Sequence, residues 1–307
     1  MIHNFFIDRF IHFYDYVHLE GWIMASEPVD RIVLGSPHLL AGEIEHGLPS
    51  PDLAGAAENA RFSGRFLVEK NFDATTARLC IYFLNGKSPV EISYAEMFQK
   101  LCAVRKPAEL DHRFREMVQA REYERLVEIG SRARCGVVRK DIFEGKTYTG
   151  VDVLRGENVD MVADAHQLSR HFKPESVDAV FSLNTFEHLA MPLQVILEIN
   201  KILRPGGLVF LDAPQTIGLH EMPWDFFRFS DRAWGSLLNA HTGFEVLATQ
   251  MTYPTHIVPF FYLGGAWKGY EASAGFNGSA VLARKTGPAL VQLDKDFSRT
   301  AFGVYPV

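Results

Sequence analysis

The fold of this chain is decided by residues 178–212, which read DAVFSLNTFEHLAMPLQVILEINKILRPGGLVFLD. An apolar run at 179–183 ends in polar Asn184, and apolar side chains then recur at the spacing of one helix face. Residues 205–207 end that helix, because proline cannot continue it and glycine supplies the turn. A second apolar run follows at 208–211. The stretch predicts one strand–helix–strand unit of a parallel sheet, with a right-handed crossover.

Two parts of this stretch carry a family resemblance. Residues 178–188, which end in Glu187-His188, resemble the segment after the second cofactor motif of class I S-adenosylmethionine (SAM)-dependent methyltransferases, in particular the bacterial type 11 domain. Leu-Arg-Pro-Gly-Gly at 203–207 resembles the next landmark of that family. The resemblance covers about residues 126–285. It implies a doubly wound, mostly parallel, Rossmann-like sheet, SAM as cofactor and an O or N atom as methyl acceptor.

The composition is that of an ordinary globular protein, with 307 residues, 47% hydrophobic and 22% charged. This length allows two domains. The formal net charge of −6 gives no basic field, so we expect no nucleic acid as partner. The three cysteines are scattered without metal-ligand spacing, and no His/Cys/Glu cluster indicates a metal. We expect a cytoplasmic protein without signal peptide or transmembrane segment.

The chain is predicted to divide into four parts. Residues 1–92 contain several short alternating runs with turn signals and predict a small β-sandwich-like accessory domain, with a long loop at 42–60. A charged, helix-prone segment at 93–125 predicts two linker helices. The methyltransferase domain is expected at 126–285, followed by a C-terminal tail at 286–307.

Strands alternate with helices in the second domain, which favours a doubly wound α/β sheet. The strands are expected at 126–130, 148–153, 160–162, 179–183, 208–211, 244–249 and 279–283. Besides the helix of the opening stretch, helices are expected at 135–143 and 230–240, the latter with Ser230 as its N-cap.

The first strand of this domain ends in a turn that resembles the SAM-binding loop of the family. An acid there receives the positive amino group of SAM, and a Gly-x-Gly-x-Gly loop lets the backbone approach the cofactor. Glu128 and Gly130 match this pattern, and Ser131 follows as a cofactor-binding candidate. Arg132 and Arg134 stand where the family has glycines. They either reshape the loop, face solvent or an anionic acceptor, or indicate a degenerate site.

Polar residues after the next strands complete the predicted cofactor site. Asp152 ends the second strand, where an acid binds ribose hydroxyls in nucleotide-binding α/β folds. In the family, an acid at the position of Asp164 accepts a hydrogen bond from the adenine amino group, and Ala165 donates its N–H to the ring. Asn184 lies at the end of the fourth strand, where ligands of open α/β sheets bind. Asp152 as a turn residue and Asp164 as a helix cap are the alternatives.

Candidate catalytic residues follow the fourth and fifth strands. His188 is a candidate general base, because an imidazole accepts a proton near neutral pH, although Glu-His here is often structural in the family. The segment 220–230, HEMPWDFFRFS, occupies the place where these enzymes often build the acceptor pocket. It contributes two candidate bases, His220 and Asp225, and three candidate acceptor-pocket residues, Trp224, Phe227 and Arg228. A structural lid with an Asp225–Arg228 pair is the alternative.

The acceptor is predicted to be a small molecule or a glycan, and a homodimer is possible. The N-terminal domain loosely resembles β-sandwich modules of bacterial glycan-modifying enzymes, which indicates polysaccharide biosynthesis. Trp22, His18, His38 and His46 can line a sugar site there, or serve only in packing. A non-catalytic glycan-binding or assembly protein with a decayed methyltransferase fold is the alternative function. A nicotinamide-dependent oxidoreductase fits poorly, because its Gly-x-Gly-x-x-Gly turn would keep only Gly130.

Overall fold

The chain folds into two compact units, Met1–Arg105 and Lys106–Val307. The computed structural model describes residues 2–13, 16–35, 42–53, 58–68, 72–102, 109–120, 122–134, 136, 138–257, 273–293 and 305. None of the helices in these described ranges is long and apolar enough to cross a membrane.

The first unit is an antiparallel β domain. Its strands are β1 (Ile2–Phe13), β2 (Tyr16–Ala25), β3 (Val29–Gly35), β4 (Gly42–Leu48), β5 (Arg61–Leu67), β6 (Arg78–Phe83) and β7 (Val90–Ser93). They follow the order β1-β2-β5-β4-β3-β6-β7. Residues 42–44 pair with β3, whereas residues 45–48 pair with β5, so β4 passes from one half of the sheet to the other. Both halves bury side chains in one hydrophobic cluster, which confirms the predicted β-rich domain.

The prediction of a loop over residues 42–60 is wrong in its first part, which forms β4. Its sequence, GEIEHGL, has a single strong apolar residue, so the alternation is hard to recognise. Ile44 is fully buried while Glu43 and Glu45 are exposed. One inward side chain and backbone pairing on both edges are sufficient to hold the strand.

The second unit is built on a mixed sheet with helices on both faces. Its strands are β8 (Arg125–Ile129), β9 (Thr147–Asp152), β10 (Met161–Val162), β11 (Val177–Leu183), β12 (Leu203–Pro214), β13 (Phe244–Ile257) and β14 (Ser273–Lys285). The order is β10-β9-β8-β11-β12-β14-β13. The first five strands in this order are parallel, and β14 is antiparallel to both of its neighbours. The predicted doubly wound, mostly parallel sheet is confirmed.

The helices cover the two faces because their apolar stripes match those of the strands. The α-helices of the described residues are α1 (Tyr94–Cys102), which belongs to the first unit, and α2 (Glu109–Val118), α3 (Pro192–Ile202) and α4 (Asp231–Leu237), which pack on this sheet. Phe114 of α2 stacks on Phe210 of β12 on one face, with ring centroids 5.2 Å apart. On the opposite face Ile196 of α3 and Trp234 of α4 are fully buried. The Ser230 hydroxyl accepts a bond from the Ala233 N–H at 3.3 Å, so the predicted N-cap of α4 is present.

The helices of the predicted linker are divided between the units. Helix α1 lies within Met1–Arg105 and packs against β1, whereas α2 belongs to Lys106–Val307. The helix expected at 135–143 is reduced to a 3₁₀ turn at Arg139–Phe143. Gly136 has a φ of +70°, which no right-handed helix accommodates, and residues 135 and 137 lie outside the described ranges.

The strand order places the ligand-binding edge between β8 and β11. Strand β8 connects forward to β9 on one side, while β11 on its other side begins the second half of the sheet. Chain connections therefore leave in opposite directions from these neighbouring strands. A crevice opens at such a switch point, at the carboxyl ends of the strands.

One carboxyl group on the α2 face makes the stability of this unit depend on pH. Burial, together with the charge of Asp111, raises the pKa of Asp212 in β12 to about 7, from 3.8. The folded state therefore holds this proton more tightly than the unfolded chain does, and stability is lost as pH rises from about 4 through about 7. We expect Asp212→Asn to stabilise the protein by about 2 kcal/mol at pH 8, after allowing for partial exposure, and to have no effect at pH 4. Urea denaturation at both pH values checks this, and an equal effect at both would contradict it.

Candidate active site

A cavity of about 480 Å³ lies at the switch point. It extends from the ends of β8 and β9 to the segment after β12, and a smaller cavity of about 80 Å³ adjoins it. The two share several lining residues, namely Gly130, Asp152, Val153, Thr185, His188 and Tyr305. A volume of several hundred Å³ is typical of a site for a cofactor or small substrate.

The turn after β8 requires glycine at its first position. Gly130 has a φ of +75°, and a Cβ added there would lie 1.9 Å from Oγ1 of Thr185. The N–H groups of Gly130 and Ser131 both donate to the carbonyl of Val151, at 2.8 and 3.1 Å. The loop is thus fixed between β9 and the turn after β11.

The sequence led us to expect Glu128 in the cofactor site. In the structure, Glu128 does not line the cavity. Glu128 is fully buried and is bonded by Arg139 at 2.9 Å, by Asn158 at 3.2 Å and by the hydroxyl of Tyr148. Burial raises its pKa in spite of these donors. Ser131 is also fully buried and outside the cavity lining. Arg139, which sequence reasoning missed, lines the cavity instead.

The two arginines that replace loop glycines pair with carboxylates at the cavity. The Arg132 N–H donates to Asp152 at 3.3 Å, and its Nε lies 3.8 Å from the other oxygen of Asp152. Arg134 forms an ion pair with Glu221 of the predicted acceptor segment. Both arginines line the cavity. The departure from the family pattern therefore adds two ion pairs that connect the loop to other parts of the site.

The predicted nucleoside residues meet at the smaller cavity. Asp152, Asp164 and Ala165 line it together with apolar side chains from β8 and β9. Asp164 also accepts the His166 N–H at 2.9 Å and caps the turn Ala165–Arg170, so it fits both sequence interpretations. Burial opposes ionisation of Asp164, but its bonds with His166 outweigh that and lower its pKa.

Tyr305 is a second lining residue that sequence reasoning missed. Its hydroxyl donates to the carbonyl of His188 at 2.6 Å and accepts the Ala190 N–H at 2.9 Å. Its ring stacks on His166 with centroids 5.9 Å apart. A single aromatic residue near the chain end gives no sequence signal for such a contact.

The candidate bases His188 and His220 lie next to each other, against a buried acid. Their rings are 4.9 Å apart, and the Nε2 atoms lie 3.6 and 3.7 Å from Oε1 of Glu187. Burial raises the pKa of Glu187 to about 7 and lowers that of His188. Both histidines line the main cavity, as do Asn184 and Trp224. The structure therefore brings together four of the residues predicted from two separate segments.

The remaining acceptor-segment candidates lie elsewhere. Arg228 binds Asp225 through both terminal nitrogens, at 2.6 and 2.8 Å, and this pair lowers the pKa of Asp225. The His220 N–H also donates to Asp225 at 2.8 Å. A carboxylate held in this way is a weak base, so the geometry favours Asp225 as a support for His220. Phe227 and Arg228 line a neighbouring depression rather than the main cavity.

The predicted sugar-site residues of the first unit do not converge. His18 is buried and bonded to Glu20 at 2.7 Å, and Trp22 stacks on Phe6 with centroids 6.0 Å apart. His46 lines a cavity of about 580 Å³, where its ring bonds the carbonyl of Asp30. His38 lies outside the described residues.

An open α/β sheet with acids at successive strand ends around one cavity is typical of nucleotide-binding folds. Residues 135–211 match the family model described as a methyltransferase domain. No curated protein matches the chain.

Similar solved structures include SAM-dependent methyltransferases from Archaeoglobus fulgidus and Aquifex aeolicus. The first has 15% identity over 58% of this chain and 93% of its own, with a TM-score of 0.42. The second has 15% identity over 61% of this chain and 98% of its own, with a TM-score of 0.39. A Burkholderia thailandensis 1,6-didemethyltoxoflavin-N1-methyltransferase has 14% identity over 68% of this chain and 96% of its own, with a TM-score of 0.40.

The second unit is a class I SAM-dependent methyltransferase domain. SAM is the cofactor of this domain. The cavity residues fit this cofactor, because a strand-end carboxylate for ribose hydroxyls adjoins an apolar slot.

Proposed function

We propose that this protein transfers the methyl group of SAM to a hydroxyl or amine of a polar, sugar-linked acceptor bound beside His220. The observation that carries the proposal is the continuous cavity, which joins Asp152 at one end to His220 and Trp224 at the other. A cofactor and an acceptor bound to these residues would meet inside one cavity. Methyl transfer requires this proximity and alignment.

Residues of this chain would hold the cofactor at the β8–β9 end. Asp152 would accept the ribose hydroxyls, and Asp164 with Ala165 would contact the base. Because Glu128 is bonded to Arg139, the amino-acid end of SAM would meet Arg139 and Asn184 rather than a free acid. A guanidinium there suits the carboxylate of that group.

SAM supplies an activated methyl group on a sulfonium centre, so the chemistry demanded of the protein is modest. The acceptor oxygen or nitrogen would form a bond to the methyl carbon as the carbon–sulfur bond breaks, and the electron pair of that bond would stay on sulfur. The acceptor proton passes to Nε2 of His220 or His188. His188 has its pKa lowered by burial, so it is neutral and able to accept a proton at pH 7.

A sugar-linked acceptor is supported by the chemistry of the outer cavity. Trp224 offers a ring on which a sugar face can stack, and His220 and Glu221 offer polar atoms for hydroxyl groups. In the β domain, the cavity lined by His46 would be the second place for a glycan, without His18 or Trp22. We therefore also propose a role in polysaccharide modification. The proposed location is the cytoplasm, where cysteines stay reduced.

The proposal is tested by formation of S-adenosylhomocysteine from SAM with panels of nucleotide sugars, oligosaccharides and simple amines. We expect turnover above the acceptor-free rate with at least one sugar-containing panel. The His112→Ala variant, which changes an exposed residue of α2, controls for effects of protein preparation that are unrelated to the cavity. Turnover only with sugar-free acceptors would refute the glycan assignment, while no turnover with any panel would refute the acceptor site.

A further inference from the structure

We propose that Glu187, His188 and His220 form a binding site for one divalent first-row transition-metal ion, such as Zn²⁺, Co²⁺ or Mn²⁺. An ion bound to both Nε2 atoms would take the place of the histidine base in the proposed methyl transfer, whereas binding of the ion can be measured without SAM or acceptor. Transition-metal ions bind a set of two imidazoles and one carboxylate more readily than Mg²⁺ or Ca²⁺ does.

The distances match the dimensions of a metal site. One ligand atom from each residue lies within 4.8 Å of the other two. The Nε2 atoms of His188 and His220 are 3.6 and 3.7 Å from Oε1 of Glu187. Two ligands about 2.1 Å from a tetrahedral ion are separated by about 3.4 Å, close to both Glu187–histidine separations.

The hydrogen bonds of both histidines leave the correct nitrogen available. Nδ1 of His188 lies 2.6 Å from the carbonyl of Trp224, and Nδ1 of His220 lies 3.0 Å from that of Gly218. A carbonyl accepts only, so each Nδ1 carries the proton and each Nε2 presents a lone pair. Metal-binding histidines are commonly oriented by such a bond from the second nitrogen.

Glu187 is the independent observation that points to a ligand. Its side chain is fully buried, and neither carboxylate oxygen has a hydrogen-bond partner among the described residues. The guanidinium of Arg228 makes its hydrogen bonds to Asp225 and to backbone carbonyls rather than to Glu187. A buried, unsatisfied carboxylate is costly, and a bound cation removes that cost.

Ion pairing with protonated histidines is a weaker explanation of the cluster. At 3.6 and 3.7 Å the Glu187–histidine separations are too long for hydrogen bonds. One ion bound to all three residues would give the Glu187 carboxylate and the Nε2 atoms of both histidines a partner at once.

The ion would have an open position toward the acceptor end of the cavity. His188 and His220 line the main cavity beside Trp224, whereas Glu187 lies behind them. Three protein ligands with one open position are characteristic of catalytic rather than structural zinc sites. If the proposed methyl transfer holds, an acceptor hydroxyl bound to the ion would lose its proton more readily.

The test is calorimetric titration of chelator-treated, tag-free protein with Zn²⁺, Mn²⁺ or Co²⁺ alone, together with Co²⁺ absorption spectra. We expect one ion per chain for at least one metal, and a rise in the thermal unfolding temperature. Neither SAM nor acceptor is present, so a failure here leaves the proposed function untouched.

The variants separate this site from other metal-binding side chains. His220→Ala and Glu187→Gln should each weaken binding on the order of 100-fold, whereas His112→Ala should bind as the wild type does. His112 pairs with Glu116 on the surface of α2, so it represents an ordinary histidine–acid contact. Glu187→Gln removes a buried charge, and we expect it to fold. Absence of stoichiometric binding, or equal binding by wild type and both site variants, would overturn the proposal.

Discussion

Replacement of His220 by alanine is expected to lower the rate of methyl transfer about 10²- to 10⁴-fold, the usual effect of removing a general base. Binding of S-adenosylhomocysteine should remain within a few-fold of the wild type, because His220 does not line the smaller cavity where Asp152 and Asp164 lie. The same loss of rate is expected if His220 holds a metal ion. Metal titration distinguishes the two roles.

Comparison with two other variants makes the His220 result specific. Trp224→Ala should also lower transfer while sparing cofactor binding, since Trp224 lines the acceptor end. His112→Ala should change neither quantity. Wild-type transfer by His220→Ala would exclude His220 as base or ligand and leave His188 as the next candidate. Wild-type transfer by both site variants would mean that residues 220–230 form a structural lid.

Replacement of Asp152 by alanine is expected to weaken SAM binding about ten- to a hundredfold. Loss of a hydrogen bond to a charged group costs about 1.5–3 kcal/mol, and each 1.4 kcal/mol corresponds to a factor of ten. The change also releases Arg132, which forms an ion pair with Asp152. Calorimetric titration with SAM measures the effect.

Glu157→Ala is the matched control for Asp152→Ala. Glu157 is an exposed acid of the loop that follows β9, so its removal changes the net charge equally. We expect unchanged SAM affinity in this variant. Equal weakening by both replacements would mean that overall charge, rather than a contact to ribose, controls cofactor binding.

The sheet could be predicted from sequence because its information is local. The helix of the opening stretch is observed as Pro192–Ile202, and its flanking strands β11 and β12 are parallel neighbours. Asp152 and Asp164 are found at the cavity because strand ends of a parallel sheet share one edge. Periodicity and strand order together determine such positions.

The contacts that could not be predicted from the sequence join segments that are distant along the chain. Glu128 was expected to bind SAM, but Arg139, Tyr148 and Asn158 occupy its carboxylate, and no local pattern predicts this network. The Glu187–His220 cluster was missed for the same reason, because it forms only when the turns after β11 and β12 meet. The sequence therefore indicated no metal.

The most direct test of the central claim is calorimetric titration of the full chain with SAM, S-adenosylhomocysteine and NAD. We expect saturable binding of both SAM and S-adenosylhomocysteine, and no heat with NAD, because the turn at Gly130 lacks the further glycines of a dinucleotide loop. Binding of NAD, or the absence of binding by either sulfur ligand at saturating concentration, would contradict the assignment as a SAM-dependent methyltransferase.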